Sequence, residues 1–99
     1  MTDDNASTVF IVDDDEAVRD SLSLLMEAES LPFECFATAM EFLEKYSGDR
    51  PGCLILDIRM PGMSGFDLRD ELLSRGTLMP IIFITGHGDV PMAVDAMKH

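Results

Sequence analysis

A chain of 99 residues holds one domain at most. Its 46% apolar content argues against disorder, and no apolar run approaches the ~20 residues needed to span a membrane. A formal net charge of −12 repels nucleic acid and anionic membrane, which excludes DNA binding by this segment.

Residues Met1 to Ser7 are polar and include Asp3 and Asp4. They read as a disordered tail (residues 1–7), and they lack the basic start and apolar stretch of a signal peptide. The expected location is the cytoplasm. The first strand is expected over about Thr8 to Val12, where Val9-Phe10-Ile11-Val12 runs into Asp13-Asp14. Helix one follows from about Glu16 to Glu29, with an apolar stripe of Val18, Leu22 and Leu25 and Met26 beside it. Pro32 to Phe36 is a short second strand. Thr38 and Glu41 form a capping-box signature for helix two, which runs to about Tyr46 and buries Phe42, Leu43 and Tyr46. Ser47 to Gly52 is a turn-rich stop.

Strand three is expected over Cys53 to Leu56 and ends on Asp57. The loop from Asp57 to Ser64 holds Pro61 and Gly62. Ser64 caps helix three, which carries Phe66, Leu68, Leu72 and Leu73 and stops near Gly76. Strand four is Pro80 to Ile84, followed by Thr85. Helix four starts at about Val90, where Pro91 suits a first turn, and Val90, Val94 and Met97 share one face. Strands alternating with helices through short connections predict a parallel sheet with helices on both faces. Cys35 and Cys53 fall on different strands and read as small buried hydrophobes. His87 and His99 have no ligand partner nearby in sequence and read as solvent-facing.

The chemistry is expected where the apolar runs end. In an open α/β sheet, ligands bind outside the carboxyl ends of the strands. Solubility accounts for most of the 19 acidic residues, but carboxylates at strand ends crowd one another without a cation. Asp13, Asp14 and Asp15 exceed what one helix cap requires, although one of them can serve as that cap. Asp57 ends an apolar strand, and a carboxylate beside Mg²⁺ can act as a nucleophile toward phosphorus. Thr85 is either an ordinary strand-end residue or a donor to a phosphoryl oxygen. The glycines after it permit close backbone approach to a ligand.

Three segments together carry a resemblance. They are Ile11 to Asp15, Leu56-Asp57-Ile58-Arg59-Met60-Pro61-Gly62-Met63-Ser64-Gly65, and Ile84-Thr85-Gly86-His87-Gly88-Asp89-Val90-Pro91-Met92-Ala93-Val94. In order and spacing the chain resembles a response-regulator receiver domain over residues 8–99, and its last segment resembles the FixJ-like branch. The resemblance implies a doubly wound, flavodoxin-like (CheY-like) α/β fold. It implies a phosphoacceptor rather than an enzyme. Asp57 would take a phosphoryl group from a sensor histidine kinase, and an output domain would regulate transcription. It also implies Mg²⁺ held by Asp14, Asp57 and the backbone carbonyl of Arg59, with Asp13 acting through water. Thr85 and the backbone amides of Arg59 and Gly86 would bind the phosphoryl group.

Receivers carry a fifth strand with a lysine, then a fifth helix. This sequence ends at Lys98-His99, so the fold is expected to lack both, and a truncated form is the favoured reading. An apolar edge at strand four then suggests a homodimer or a swapped oligomer. The alternatives are a stand-alone or degenerate receiver acting as an interaction module, and a phosphatase of the haloacid-dehalogenase type. The phosphatase needs a second aspartate two residues after its nucleophile, and here that position is Arg59.

Overall fold

The computed structural model describes residues 7–85. Its elements are β1 (Thr8–Val12), α1 (Glu16–Ala28), β2 (Phe33–Phe36), α2 (Ala39–Lys45), β3 (Gly52–Asp57), α3 (Gly65–Ser74) and β4 (Ile81–Ile84). The tail at residues 1–6, Gly86 (expected to bind the phosphoryl group), His87 and the expected helix four all lie outside the described residues.

The four strands are all parallel, in the order β2-β1-β3-β4. Among the described residues β4 is therefore an edge. Prolines mark three strand entrances. Pro32, Pro51 and Pro80 have no N–H to offer a ladder, but their carbonyls accept from Val9, Thr8 and Leu54 of the neighbouring strands at 2.9, 3.1 and 3.0 Å. This is why β2 and β4 begin one residue later than the expected Pro32 and Pro80.

The pleat sends alternate residues to opposite faces. One face joins Phe10, Val12, Leu54, Leu56 and Phe83 to Phe42 of α2 and to Leu68 and Leu72 of α3. Phe42 meets the rings of Phe10, Phe36 and Tyr46 at centroid separations of 5.6, 5.2 and 5.0 Å. The other face packs Ile11 and Ile55 against Met26 of α1, with Leu22, Val9 and Cys35 around them. Helices on both faces of a parallel sheet make the fold doubly wound, as expected from the sequence.

Three expectations need correction. Leu25 is 51% exposed, so it does not belong to the buried stripe of α1. The helix is turned so that Met26 faces the sheet and the flank bearing Arg19 and Ser23 is half-buried. Cys35 and Cys53 are partly buried rather than enclosed, and both are free thiols. In α2 Ala39 and Phe42 are buried, while Leu43 and Tyr46 pack at the margin of the core.

The helix starts follow their caps. Asp15 accepts from the Ala17 N–H at 2.9 Å, and Thr38 accepts from the Glu41 N–H at 3.0 Å. Ser64 and Asp67 form a complete capping box, with both bonds at 3.1 Å. Arg50 grips Glu34 with both guanidinium arms, tying the β2 edge to the loop before β3. No helix among the described residues is long and apolar enough to cross a membrane.

Candidate functional site

Three carboxylates meet at the carboxyl edge of the sheet. Asp13 and Asp14 follow β1, and Asp57 is the last residue of the adjacent β3. One oxygen from each lies within 4.8 Å of the others. Asp13 is 1% exposed and Asp57 is 5% exposed, while Asp14 faces solvent. The three consecutive acids thus divide their work: Asp15 caps α1 and the other two join Asp57.

The two buried acids are only partly satisfied. Asp13 Oδ1 accepts from the Asp15 N–H at 2.8 Å. Its Oδ2 is buried with no hydrogen-bond partner. A buried, unpartnered carboxylate oxygen is costly, and beside two more carboxylates it suits a cation. Asp57 Oδ1 accepts from the Arg59 N–H at 3.1 Å. Burial raises the Asp57 carboxyl from 3.8 to about 7, against that bond, and the charges of Asp13 and Asp14 add to the rise. Burial likewise raises Asp13, with Asp14 and Asp15 contributing in the same direction. An oxygen-only donor set of this kind fits a hard divalent cation such as Mg²⁺.

Backbone packing holds Asp57 in place. The Ile58 N–H donates to Ile84 at 3.0 Å, continuing the β3–β4 ladder past Asp57. The Gly65 N–H donates to the Ile58 carbonyl at 3.0 Å, which draws the start of α3 onto the end of β3. A Cβ on Gly65 would collide with the Asp57 carbonyl oxygen. The absent side chain therefore permits this close approach. Thr85 follows β4 directly, beside the strand end that carries Asp57, with which Ile84 is in register. Arg59 is exposed, and its backbone amide turns inward to Asp57.

The expected residues Asp13, Asp14, Asp57, Arg59 and Thr85 thus fall along one edge. Sequence reasoning missed two. Gly65 had a signal in its place directly after the Ser64 cap. Arg19 donates from Nη1 to the Asp13 carbonyl at 2.7 Å, and no spacing rule points to it.

A parallel sheet wound on both faces, with an acidic triad at its carboxyl edge, defines a doubly wound α/β module with a carboxylate site at its strand ends. The family described as response regulator receiver domain matches residues 9–99, and the chain belongs to it. It is 52% identical over 95 residues to the response regulator protein TodT of Pseudomonas putida, covering 96% of this chain and 42% of TodT. It is 48% identical over 90 residues to the transcriptional regulatory protein FixJ of Azorhizobium caulinodans, covering 91% of this chain and 43% of FixJ. The solved structure of the response regulator StyR superposes with a TM-score of 0.81 at 48% identity, covering 94% of this chain and 47% of that one. The chain thus spans about two-fifths of the length of these curated relatives.

The electrostatics set a pH dependence. Asp57 binds its proton more tightly folded than unfolded, so its contribution to stability is full below about 4 and is lost as pH rises through about 7. Asp13 shifts in the same sense. Glu34, lowered by its hydrogen bond to Arg50, acts oppositely and only as pH falls below its ordinary 4.5. In chelator-treated protein, urea unfolding should show stability falling between about pH 4 and pH 7. Asp57→Asn should flatten that slope and exceed the parent chain at about pH 8 by on the order of 3 kcal/mol. Parallel pH profiles for the two proteins would contradict the assignment.

Proposed function

We propose that the chain is the phosphoacceptor of a cytoplasmic two-component response regulator. Asp57 takes the phosphoryl group from the phosphohistidine of a sensor kinase. The observation that carries this reading is the triad itself: three carboxylates within 4.8 Å, two of them buried and one with an orphaned oxygen. In the intact protein the phosphoryl group would control transcription through an output domain, as the name of the FixJ relative suggests.

In this proposal Asp14, Asp57 and the Arg59 carbonyl would hold Mg²⁺, and Asp13 would act on it through water. When bound, the ion would supply positive charge that offsets the carboxylates and the phosphoryl oxygens. The Arg59 N–H fixes Asp57 Oδ1. The other Asp57 oxygen is the nucleophile, forming its bond to phosphorus as the bond to the histidine nitrogen breaks. The Thr85 hydroxyl and the amides of Arg59 and Gly86 receive the phosphoryl oxygens. Asp57 is held here as an acceptor, and the role of the module is signalling. Arg59 stands where a phosphatase of the haloacid-dehalogenase type would need its general acid, which weighs against hydrolysis.

Treatment of the protein with a small acyl phosphate and Mg²⁺ should add one phosphoryl group at Asp57, seen by mass spectrometry. Asp57→Asn should abolish the adduct and markedly weaken Mg²⁺ binding in calorimetry. An adduct of equal yield in that variant, or unchanged Mg²⁺ affinity, would overturn the proposal.

We further propose that the chain self-associates through β4, giving a homodimer or a swapped oligomer. Among the described residues β4 is a sheet edge, and Ile82 on it is 44% exposed. Apolar edges pair with other chains. Light scattering should show a concentration-dependent dimer that Ile82→Lys shifts to monomer. A monomer at every concentration would refute this.

A further inference from the structure

We propose that Arg19 is a positioning residue that fixes the Asp13–Asp14 peptide, and with it the direction of both carboxylates. Its consequence for metal rests on the reading above, while its geometry stands alone. The β1 ladder ends with the Asp13 N–H donating to Phe36 of β2 at 3.1 Å. Beyond that point the Asp13 carbonyl has left the strand. Arg19 reaches back six residues to supply the donor, with Nη1 at 2.7 Å.

That carbonyl belongs to the peptide joining Asp13 to Asp14. Rotation of its plane sets where the Asp14 side chain leaves the turn. Asp13 Oδ1 is separately held by the Asp15 N–H. The protein therefore holds the N–H, the carbonyl and Oδ1 of Asp13, and leaves Oδ2 alone without a partner. A residue arranged this way presents one oxygen in a fixed direction.

Arg19 is itself anchored. Its N–H donates to the Asp15 carbonyl at 3.0 Å, and its carbonyl accepts from the Ser23 hydroxyl at 2.7 Å. Ser23 Oγ lies 3.2 Å from Cys35 Sγ on β2. The chain of contacts runs from the edge strand, through α1, to the acidic turn. The orientation of α1 agrees with it: the flank with Arg19 and Ser23 is half-buried, while Leu24 and Leu25 are exposed. An apolar stripe alone would have placed Leu25 inward. The bland reading is that Arg19 only braces the start of α1, and it predicts a loss of stability with the site unchanged.

Arg19→Ala and Arg19→Lys of the whole chain separate these readings. The first measurement is amide hydrogen exchange at Asp14 and Asp15 in metal-free protein. Arg19→Ala should exchange faster at both amides, and Arg19→Lys, which keeps a cationic donor, should recover part of the protection. The second is Mg²⁺ titration by calorimetry well below the unfolding midpoint, where Arg19→Ala should weaken binding about tenfold and Arg19→Lys less. Unchanged exchange and unchanged Mg²⁺ affinity in a less stable Arg19→Ala would overturn the proposal. If Arg19→Ala does not fold, Arg19→Lys decides alone, and parental exchange and affinity in it would also overturn the proposal. Failure of the parent chain to bind Mg²⁺ would sink the functional reading, while the exchange measurement would still decide the role of Arg19.

Discussion

Repulsion among Asp13, Asp14 and Asp57 is the constraint on which the rest of the molecule turns. Two of the three acids are almost wholly buried, and their oxygens lie within 4.8 Å of one another. Close carboxylates in a poorly solvated site cannot all ionise without cost. The fold imposes the arrangement because adjacent parallel strands end together, which places Asp13 and Asp57 side by side. Hydrophobic packing on both faces holds those strand ends in place. The core thereby stabilises a site that is unfavourable when taken alone.

The same arrangement explains why the surrounding contacts are mostly to backbone. Arg59 and Asp15 each supply an N–H to one oxygen of a buried acid, while Arg19 takes the Asp13 carbonyl. Among the described residues no lysine or arginine side chain bonds to a triad carboxylate. A direct ion pair would have lowered the acids and occupied the oxygens. Leaving Asp13 Oδ2 open keeps a place for a ligand with positive charge. Gly65 contributes by having no side chain, so that α3 starts directly against the backbone of Asp57 and Ile58.

Much of this was legible in the sequence because it rests on local rules. Buried parallel strands are short β-branched runs, so β1 was read at its observed bounds and β2, β3 and β4 within a residue. Thr38 and Ser64 announced their helices through the hydrogen bonds they would accept. The carboxylates were legible because strand ends share one edge. The rotation of α1 was not legible, since the periodicity of Val18, Leu22 and Leu25 turns Leu25 inward, whereas Met26 is the residue packed on the sheet. The observed rotation brings Met26 onto the sheet together with the contacts of Arg19 and Ser23. Arg19 bonds a carbonyl and Gly65 makes room for one, and neither interaction leaves a pattern of side-chain types. The division of labour between Asp15 and its two neighbours also needed the turn geometry.

The central claim is that the folded chain keeps an ionisable Asp57 under strain that a cation relieves. Carbon-13 NMR titration of the aspartate carboxyls reads this directly. Without metal, Asp57 should titrate near pH 7, far above its ordinary 3.8. With saturating Mg²⁺ its midpoint should fall well below that value. A midpoint near 4 in metal-free protein, or one that Mg²⁺ leaves in place, would contradict the account.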